Sequence, residues 1–223
     1  MNIVIINGSP RKNGATARIL HGIEKRFSER GAETEFINIS DMNISPCRGC
    51  CSCYKTGRCF LEDDAEPLSD KISLADGLVI GSPTYASNIS GQLKQFIDRG
   101  HFVIEQLLHG KYAVSVVTGE NYGSADAGNI LTKLLKFSGA KMSGKIVFDL
   151  PFGSDVPDRL SGRINNVTDR LFDDIRTGRG YIFQSLVHKI IFSIGIKPFV
   201  EKKGDSYSGV ISRWKKYGVI SGS

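Results

Sequence analysis

The sequence predicts an α/β fold in which helices cover both faces of a parallel β-sheet. Short apolar runs alternate along the chain with segments whose apolar residues recur at helical spacing. The tripeptide Gly-Ser-Pro breaks two of the apolar runs, at residues 8–10 and 81–83. No internal repeat or low-complexity tract interrupts the alternation. Strands and helices that alternate in this way imply parallel strands joined by crossover helices.

The first three elements illustrate the pattern. Residues 3–6 form a continuous apolar run, which is typical of a buried parallel strand. A helix is predicted over about 14–30, and Gly31 ends it. Residues 35–39 are predicted to form the second strand. The apolar positions of the predicted helix recur at helical spacing: Ile19, Leu20, Ile23 and Phe27.

The rest of the domain continues the same alternation. A helix is expected to begin near Ala65, where Asp63 and Asp64 are better placed to cap it than to bind a metal. The later elements are predicted as a strand over 78–80, a helix from 91 to about 109, a strand over 112–117, a helix over 124–138, a strand over 145–148 and a helix over 159–176.

The predicted organisation is one α/β domain over 1–176, followed by a helical extension and basic tail over 177–223. Residues 181–194 form a broad apolar helix that something must cover. We expect it to pack on the body or across a homo-oligomer interface, with a membrane interface as the minor alternative. From Lys189 onward the chain contains seven basic and two acidic residues, which accounts for five of the six net positive charges. A solvated tail is the simplest interpretation.

The start of the chain and its cysteines indicate a cytoplasmic protein. Met1 leads directly into an apolar strand, without a basic segment or a cleavage site, so no signal peptide is expected. All five cysteines lie within 47–59. A secreted disulfide scaffold would spread them along the chain, whereas metal binding or redox chemistry accounts for such crowding.

Ligands of parallel α/β sheets bind beyond the carboxyl ends of the strands, where the strand order reverses. The loop after the first strand, residues 8–16, leads into a helix N-terminus, and that position attracts anions. Its side chains add donors and positive charge, which suits a phosphate monoester. The loop lacks both the triphosphate pattern Gly-x-x-x-x-Gly-Lys-Ser/Thr and the dinucleotide pattern Gly-x-Gly-x-x-Gly. An ordinary polar turn with a helix cap is the alternative.

Two loops together carry a family resemblance. Gly-Ser-Pro-Arg-Lys-Asn-Gly-Ala-Thr at 8–16 resembles the FMN-phosphate loop of the NADPH-dependent FMN reductase and iron–sulfur flavoprotein group. Gly-Ser-Pro-Thr-Tyr-Ala-Ser-Asn-Ile-Ser-Gly at 81–91 resembles the segment that runs along the flavin ring in that group. The likeness covers roughly residues 1–150. It implies a flavodoxin-like three-layer sandwich, with a five-stranded parallel sheet of order 2-1-3-4-5.

The resemblance also implies which residues contact FMN. Tyr85 offers a flat face to the ring, and Asn88 offers a donor and an acceptor to its polar edge. The implied FMN contacts are Ser9, Arg11, Lys12, Asn13, Ala15, Thr16, Pro83, Thr84, Tyr85, Asn88, Thr118, Gly119 and Gly123.

The cysteines form a compact motif. Cys47, Cys50, Cys53 and Cys59 give the spacing C-x2-C-x2-C-x5-C, which suits one cubane iron–sulfur cluster. Zinc ligands more often come as two pairs with a longer spacer. The spacing resembles the motif of iron–sulfur flavoproteins, which implies these four residues as ligands of a [4Fe–4S] cluster. Thiols without a cluster, structural or redox-active, and a zinc site stay open as alternatives. Cys51 is either a bystander or a substitute for Cys50.

The predicted function is that of an FMN-dependent oxidoreductase. Electrons would pass from NAD(P)H or ferredoxin to an unidentified small-molecule or protein acceptor, in a homodimer or homotetramer. A bound flavin carries the redox chemistry itself, so no catalytic side chain is predicted. The four histidines show no metal-site spacing and are expected on helix surfaces or in the core.

Other functional classes are less well supported by the residues. A flavodoxin-type electron carrier without catalytic activity is the main alternative, although such carriers are usually acidic and lack the cysteine loop. A redox sensor that binds nucleic acid would need a recognition pattern that is missing here. No nucleic-acid or membrane contact is therefore expected.

Overall fold

The protein is described by a computed structural model, which covers residues 1–151, 153–154 and 156–221, apart from the side chain of Arg159. Within those ranges one sheet of five parallel strands has the order β2-β1-β3-β4-β5, which confirms the predicted order. Its strands are β1 (Asn2–Asn7), β2 (Glu33–Asn38), β3 (Gly77–Pro83), β4 (Tyr112–Gly119) and β5 (Lys141–Asp149).

Helices cover both faces of the sheet, as the alternating pattern predicts. The described helices are α1 (Ala15–Glu29), α2 (Ser52–Thr56), α3 (Ala65–Leu74), α4 (Gly91–Arg99), α5 (Ser124–Phe137), α6 (Asp158–Thr177), α7 (Ile182–Ile190), α8 (Lys197–Lys202) and α9 (Ser208–Lys216). Helices α1 and α6 pack on one face, and α3, α4 and α5 pack on the other.

The central strands are buried on both faces, which explains their unbroken apolar sequences. In β1, Ile3 and Ile5 contribute to the core under α1 and α6. Val4 and Ile6 contribute to the core under the opposite helices, because successive side chains of a strand point to opposite faces. A strand with solvent on one side would alternate apolar and polar residues instead.

The structure corrects the predicted length of α4. The helix ends at Arg99, whereas the sequence predicts a helix to about His109. Gly100 follows the last helical residue, and the chain then turns, with left-handed backbone at His101 and Gln106. The apolar residues that suggested more helix lie in this turning segment and are still buried, so their spacing reflects core packing and not helical geometry.

The C-terminal extension folds back on the domain and builds a small core of its own. The predicted helix over 181–194 is α7 followed by a π-helical turn, Ile191–Ile196. Behind it, residues of the turn, α8 and α9 bury each other: Phe192, Ile196, Val200, Val210 and Trp214. Tyr54 of α2 packs against this cluster, so the extension touches the cysteine segment. The boundary at 176/177 stays a prediction.

One face of α7 is left open to solvent. Ile182 is 84% exposed and Phe183 is 78% exposed, and other apolar residues continue the strip to Phe199. In the part of the chain that is described, no helix is both long and apolar enough to cross a membrane.

Candidate functional site

The loop between β1 and α1 is held tightly against the end of β3. The backbone N–H of Gly8 donates to the carbonyl of Gly81 at 2.8 Å. A Cβ at Gly8 would lie 2.8 Å from that same oxygen, so only glycine permits the approach. The hydroxyl of Ser9 accepts from the N–H of Arg11 at 3.1 Å, which shapes the turn toward the helix. The two Gly-Ser-Pro loops are therefore neighbours at the carboxyl edge of the sheet.

A cavity of about 810 Å³ opens between these loops and the end of β4. Its volume lies within the range of small-molecule and cofactor pockets. Nine predicted FMN contacts line it: Arg11, Lys12, Asn13, Ala15, Pro83, Thr84, Tyr85, Thr118 and Gly119. Arg18, which the sequence analysis missed, and Glu120 also line it.

The other four predicted contacts brace the walls of the cavity. The Thr16 hydroxyl is buried and bonds to the hydroxyl of Thr118 at 2.7 Å, joining the start of α1 to β4. The Asn88 side-chain oxygen accepts from its neighbour's N–H at 2.8 Å. Ser9 is buried in its turn, and Gly123 packs beneath the loop that follows β3. Direct contact with FMN stays a prediction for all thirteen residues.

The cavity suits an anionic ligand at its α1 end. Helix α1 has no side-chain cap and no acidic residue in its first turn, so its first N–H groups suit a phosphate. Arg11 and Lys12 add positive charge, although Lys12 also pairs with Asp41 at 2.6 Å. Thr84 lines the same cavity, and its hydroxyl is buried without a hydrogen-bond partner among the described residues. A buried donor of this kind fits a site that a polar ligand completes.

A strained turn presents the aromatic side of the cavity. Tyr85 and Asn88 exchange two backbone hydrogen bonds, of 2.9 and 3.0 Å. The two residues between them, Ala86 and Ser87, have φ of 48° and 59°, which costs energy for side chains other than glycine. The turn leaves Tyr85 45% exposed at the cavity. Strain of this kind is common where a loop is shaped to bind a ligand.

The cysteine loop carries the four predicted ligands on one short segment, in which Cys47 and Cys50 are exposed and Cys53 and Cys59 are partly buried. Burial raises the pKa of Cys53 to about 12, and the negative charges of Glu105, Cys59, Cys47 and Cys50 add to the effect. The assignment of these four thiols to one metal centre stays a prediction. Cys51 is exposed and has left-handed backbone, and its role as a bystander or as a substitute for Cys50 stays a prediction too.

Arg99 supports the loop from the end of α4. Its guanidinium donates to the sulfur of Cys59 at 3.3 Å and to the carbonyl of Ser45 at 3.0 Å, and pairs with Asp63. Asp63 also accepts from the N–H of Ala65 at 3.1 Å, so the predicted cap of α3 is confirmed for this residue. Asp64 does not cap the helix, because its side chain accepts from the N–H of Asn43 instead.

A buried ionic cluster lies under the thiols. His101 contacts Glu66 at 2.7 Å through Nε2 and Glu105 through Nδ1, and Arg213 pairs with both carboxylates. Burial would raise the pKa of Glu66, but the hydrogen bond from His101 and the charges of His101 and Arg213 lower it to about 2. Burial opposes protonation of His101, yet its hydrogen bonds to the two carboxylates raise its pKa.

Sequence spacing failed to find this cluster. The ligand atoms of Cys53, His101 and Glu105 lie within 4.8 Å of one another, although 48 residues separate the cysteine from the histidine. His101 is buried in the core, as expected, but spacing along the sequence gave no sign of its place beside Cys53. Its two ring nitrogens contact Glu66 and Glu105, so His101 joins the two carboxylates near the cysteine loop.

A parallel sheet of this order, with a cofactor-sized cavity at the carboxyl ends of β1, β3 and β4, defines a flavodoxin-like nucleotide-binding protein. The sequence model of the NADPH-dependent FMN reductase family matches residues 1–155. The chain belongs to this family, and it is an FMN-dependent oxidoreductase.

Individual proteins agree with this assignment. An iron–sulfur flavoprotein of Clostridioides difficile is 32% identical over 225 residues, covering 99% of this chain and 100% of the relative. The structure of an NADH:FMN oxidoreductase in its apo form has a TM-score of 0.58 at 23% identity, covering 81% of this chain and 90% of the other. A flavodoxin of Bacillus cereus has a TM-score of 0.55 at 18% identity, covering 78% and 98%. The structural similarities show the fold alone.

Proposed function

We propose that the protein is an iron–sulfur flavoprotein, in which FMN exchanges electrons with a [4Fe–4S] cluster held by Cys47, Cys50, Cys53 and Cys59. The observation that carries the proposal is the placement of four free cysteines on one loop of 13 residues, beside a buried ionic cluster. Four thiolates on a compact loop are the usual ligand set of such a cluster. The name of the C. difficile relative, which matches over its full length, agrees with it.

The residues divide the work between two sites. In the cavity, the 9–16 loop and the start of α1 bind the phosphate of FMN, and Tyr85 orients the ring. In the cysteine loop, Arg99 donates to the sulfur of Cys59 at 3.3 Å and so helps to hold that ligand in position. When bound, FMN supplies hydride chemistry and the cluster supplies single-electron transfer. The electron donor is a reduced nicotinamide or a ferredoxin.

The proposed assembly is a homodimer or homotetramer. The support is the run of exposed apolar residues from Ile182 of α7 to Phe199 of α8. A contiguous apolar surface of this kind usually marks an interface, whereas single exposed apolar residues do not. Sedimentation of the purified protein measures the assembly directly. A monomer at micromolar concentration would contradict this part of the proposal.

The deciding experiment is an anaerobic visible spectrum of freshly purified protein, with FMN, iron and sulfide assayed on the same sample. We expect one FMN and about four irons per chain, together with a broad shoulder near ~400 nm. Iron-free protein after anaerobic reconstitution would contradict the cluster and leave an FMN reductase with free thiols. Zinc in place of iron would contradict it too.

The same sample identifies the donor. NADH, NADPH and reduced ferredoxin are added separately under anaerobic conditions, and bleaching of the flavin band is followed in time. Steady-state turnover with an artificial acceptor then measures the enzyme activity, which a flavodoxin-type carrier would lack.

A further inference from the structure

We propose that the C-terminal helix α9, through Gly209 and Arg213, is a positioning element of the cysteine site. It holds the segment 52–59 in the shape that brings the thiols together. The inference rests on the proposed function only in taking Cys47, Cys50, Cys53 and Cys59 as the ligand set. It adds that the end of the chain, outside the family-matched residues 1–155, is part of that site.

The cysteine segment cannot hold its own shape. Its only regular element within the described residues is α2, which has five residues and no buried side chain. An isolated helix of this length is unstable in water. Cys47 and Cys50, which precede it, are exposed. External contacts must therefore fix the loop.

The first external contact is made backbone to backbone. Gly209 of α9 packs directly on Gly57, where a methyl group added to Gly209 would lie 2.8 Å from the Cα of Gly57. The hydroxyl of Ser208 donates to the carbonyl of Lys55 at 3.0 Å. Glycine at 209 is thus the residue that lets α9 approach the loop this closely.

Arg213 supplies the second contact, one turn further along α9. Its Nε donates to the carbonyl of Gly57 at 2.6 Å and lies 3.0 Å from a carboxylate oxygen of Glu105. Its Nη2 pairs with Glu66. The residue is only 6% exposed. Its planar guanidinium donates hydrogen bonds in fixed directions, so the positions of its partners are fixed as well. One side chain thereby ties α9 to the loop and to both buried carboxylates.

These carboxylates lead to the thiols themselves. Glu66 accepts from the backbone N–H of Cys59 at 3.3 Å. A carboxylate oxygen of Glu105 lies within 4.8 Å of the sulfur of Cys53. The indole N–H of Trp214 donates to the carbonyl of Ile104 at 2.8 Å and anchors α9 to the domain. Contacts therefore run without a gap from the end of the chain to two of the four ligands.

The test compares Gly209→Ala with Gly195→Ala. Gly195 lies in the same extension, and a methyl group there would meet nothing within 4 Å. Metal-free, fully reduced protein is treated with iodoacetamide, and mass spectrometry gives the alkylation rate of each cysteine. We expect the rate at Cys53 to rise about tenfold in Gly209→Ala only, equivalent to a local opening that is about 1.4 kcal/mol easier. FMN affinity should be unchanged in both variants.

Arg213→Lys and Arg213→Gln separate position from charge. Lysine keeps the charge but cannot reproduce the fork, so a positioning role predicts faster alkylation of Cys53 in both variants. A purely electrostatic role predicts wild-type behaviour for Arg213→Lys and would overturn the inference. Equal protection of Cys53 in wild type and Gly209→Ala would overturn it as well. Loss of FMN binding along with the protection would indicate a general folding role and would also overturn it.

Iron uptake provides the second readout. After anaerobic reconstitution, we expect Gly209→Ala and Arg213→Lys to hold several-fold less iron than Gly195→Ala. Full iron loading of both variants would contradict the inference. If wild type itself takes up no iron, the proposed cluster fails, and the alkylation rates still decide whether α9 positions the thiols.

Discussion

The flavin cavity and the cysteine loop are built in opposite ways. The cavity is assembled from loops that are far apart in sequence, yet the parallel sheet alone brings them together, as the bond between Gly8 and Gly81 shows. The proposed cluster ligands all lie within 13 residues, from Cys47 to Cys59. Even so, their surroundings come from α3, from the turn after α4 and from the last helix.

The difference teaches that proximity in sequence is not the same as structural independence. Strand ends meet because hydrogen bonding fixes the register of the whole sheet, so the cavity inherits its rigidity from the core. A short cysteine loop has no core beneath it until distant side chains provide one. Substitutions in the two regions should therefore separate flavin binding from metal binding.

The largest expected effect breaks the cysteine loop. Cys53→Ser should remove essentially all cluster iron and sulfide, because one of the four proposed ligands is lost, while FMN binding stays intact. Iron, sulfide and FMN are assayed on the same anaerobic sample. Cys51→Ser is the matched control and should keep its iron. If Cys51→Ser loses its iron and Cys50→Ser keeps it, then Cys51 and not Cys50 is the ligand.

A smaller effect is expected on the cavity alone. Gly123 has φ of +79°, and a methyl group there would lie 2.8 Å from the Cα of Ser87 in the strained turn. Gly123→Ala should therefore weaken FMN binding about tenfold, or about 1.4 kcal/mol, with iron content unchanged. Fluorescence titration with FMN measures the affinity.

Gly110→Ala is the matched control for that variant. Gly110 has φ of +76° but open space around it, so both variants carry a similar backbone strain of about 1–2 kcal/mol. Only Gly123→Ala should lose flavin affinity. An equal loss in both would mean that strain, and not the position of the turn, controls binding.

The smallest effect is expected at the contact between α1 and α6, away from the cavity and the cysteine loop. Arg26 of α1 makes two hydrogen bonds of 2.9 Å to Asp169 of α6, and these bonds lower the pKa of Asp169 below its usual 3.8. Asp169→Asn should lower Tm at pH 7 by about 2–4 °C and leave FMN and iron unchanged. Calorimetry measures Tm.

The pH dependence follows from the direction of that shift. Because the folded-state pKa is lowered, the stabilisation is complete above the unfolded value of 3.8 and is lost as pH falls through the folded value. The difference in Tm between wild type and Asp169→Asn should therefore disappear in acid. Asp98→Asn, which removes an exposed pair with Lys94, is the control and should change Tm less.

The sequence predicts the sheet order and the loops at its carboxyl edge, because buried parallel strands and their glycine breaks leave local signals. It extends α4 too far, because Phe102, Leu107 and Leu108 are buried without being helical. It treats Arg213 as part of a solvated basic tail, whereas the residue is buried and pairs with Glu66, 147 residues away. Spacing carries no information on such a pair, and the only local hint is the single tryptophan beside it.

The docking of α9 on the cysteine loop sets an order for biosynthesis. Strand β5 ends at Asp149, and α9 begins 59 residues later at Ser208, so α9 is synthesised after the whole sheet. Domains fold from the N-terminus during synthesis, so the flavin cavity forms before the thiols gain their support. Under the proposed role of α9, a chain that ends after α6 would bind FMN but take up little iron. Under that role, uptake of iron therefore depends on a helix that is made after the flavin site.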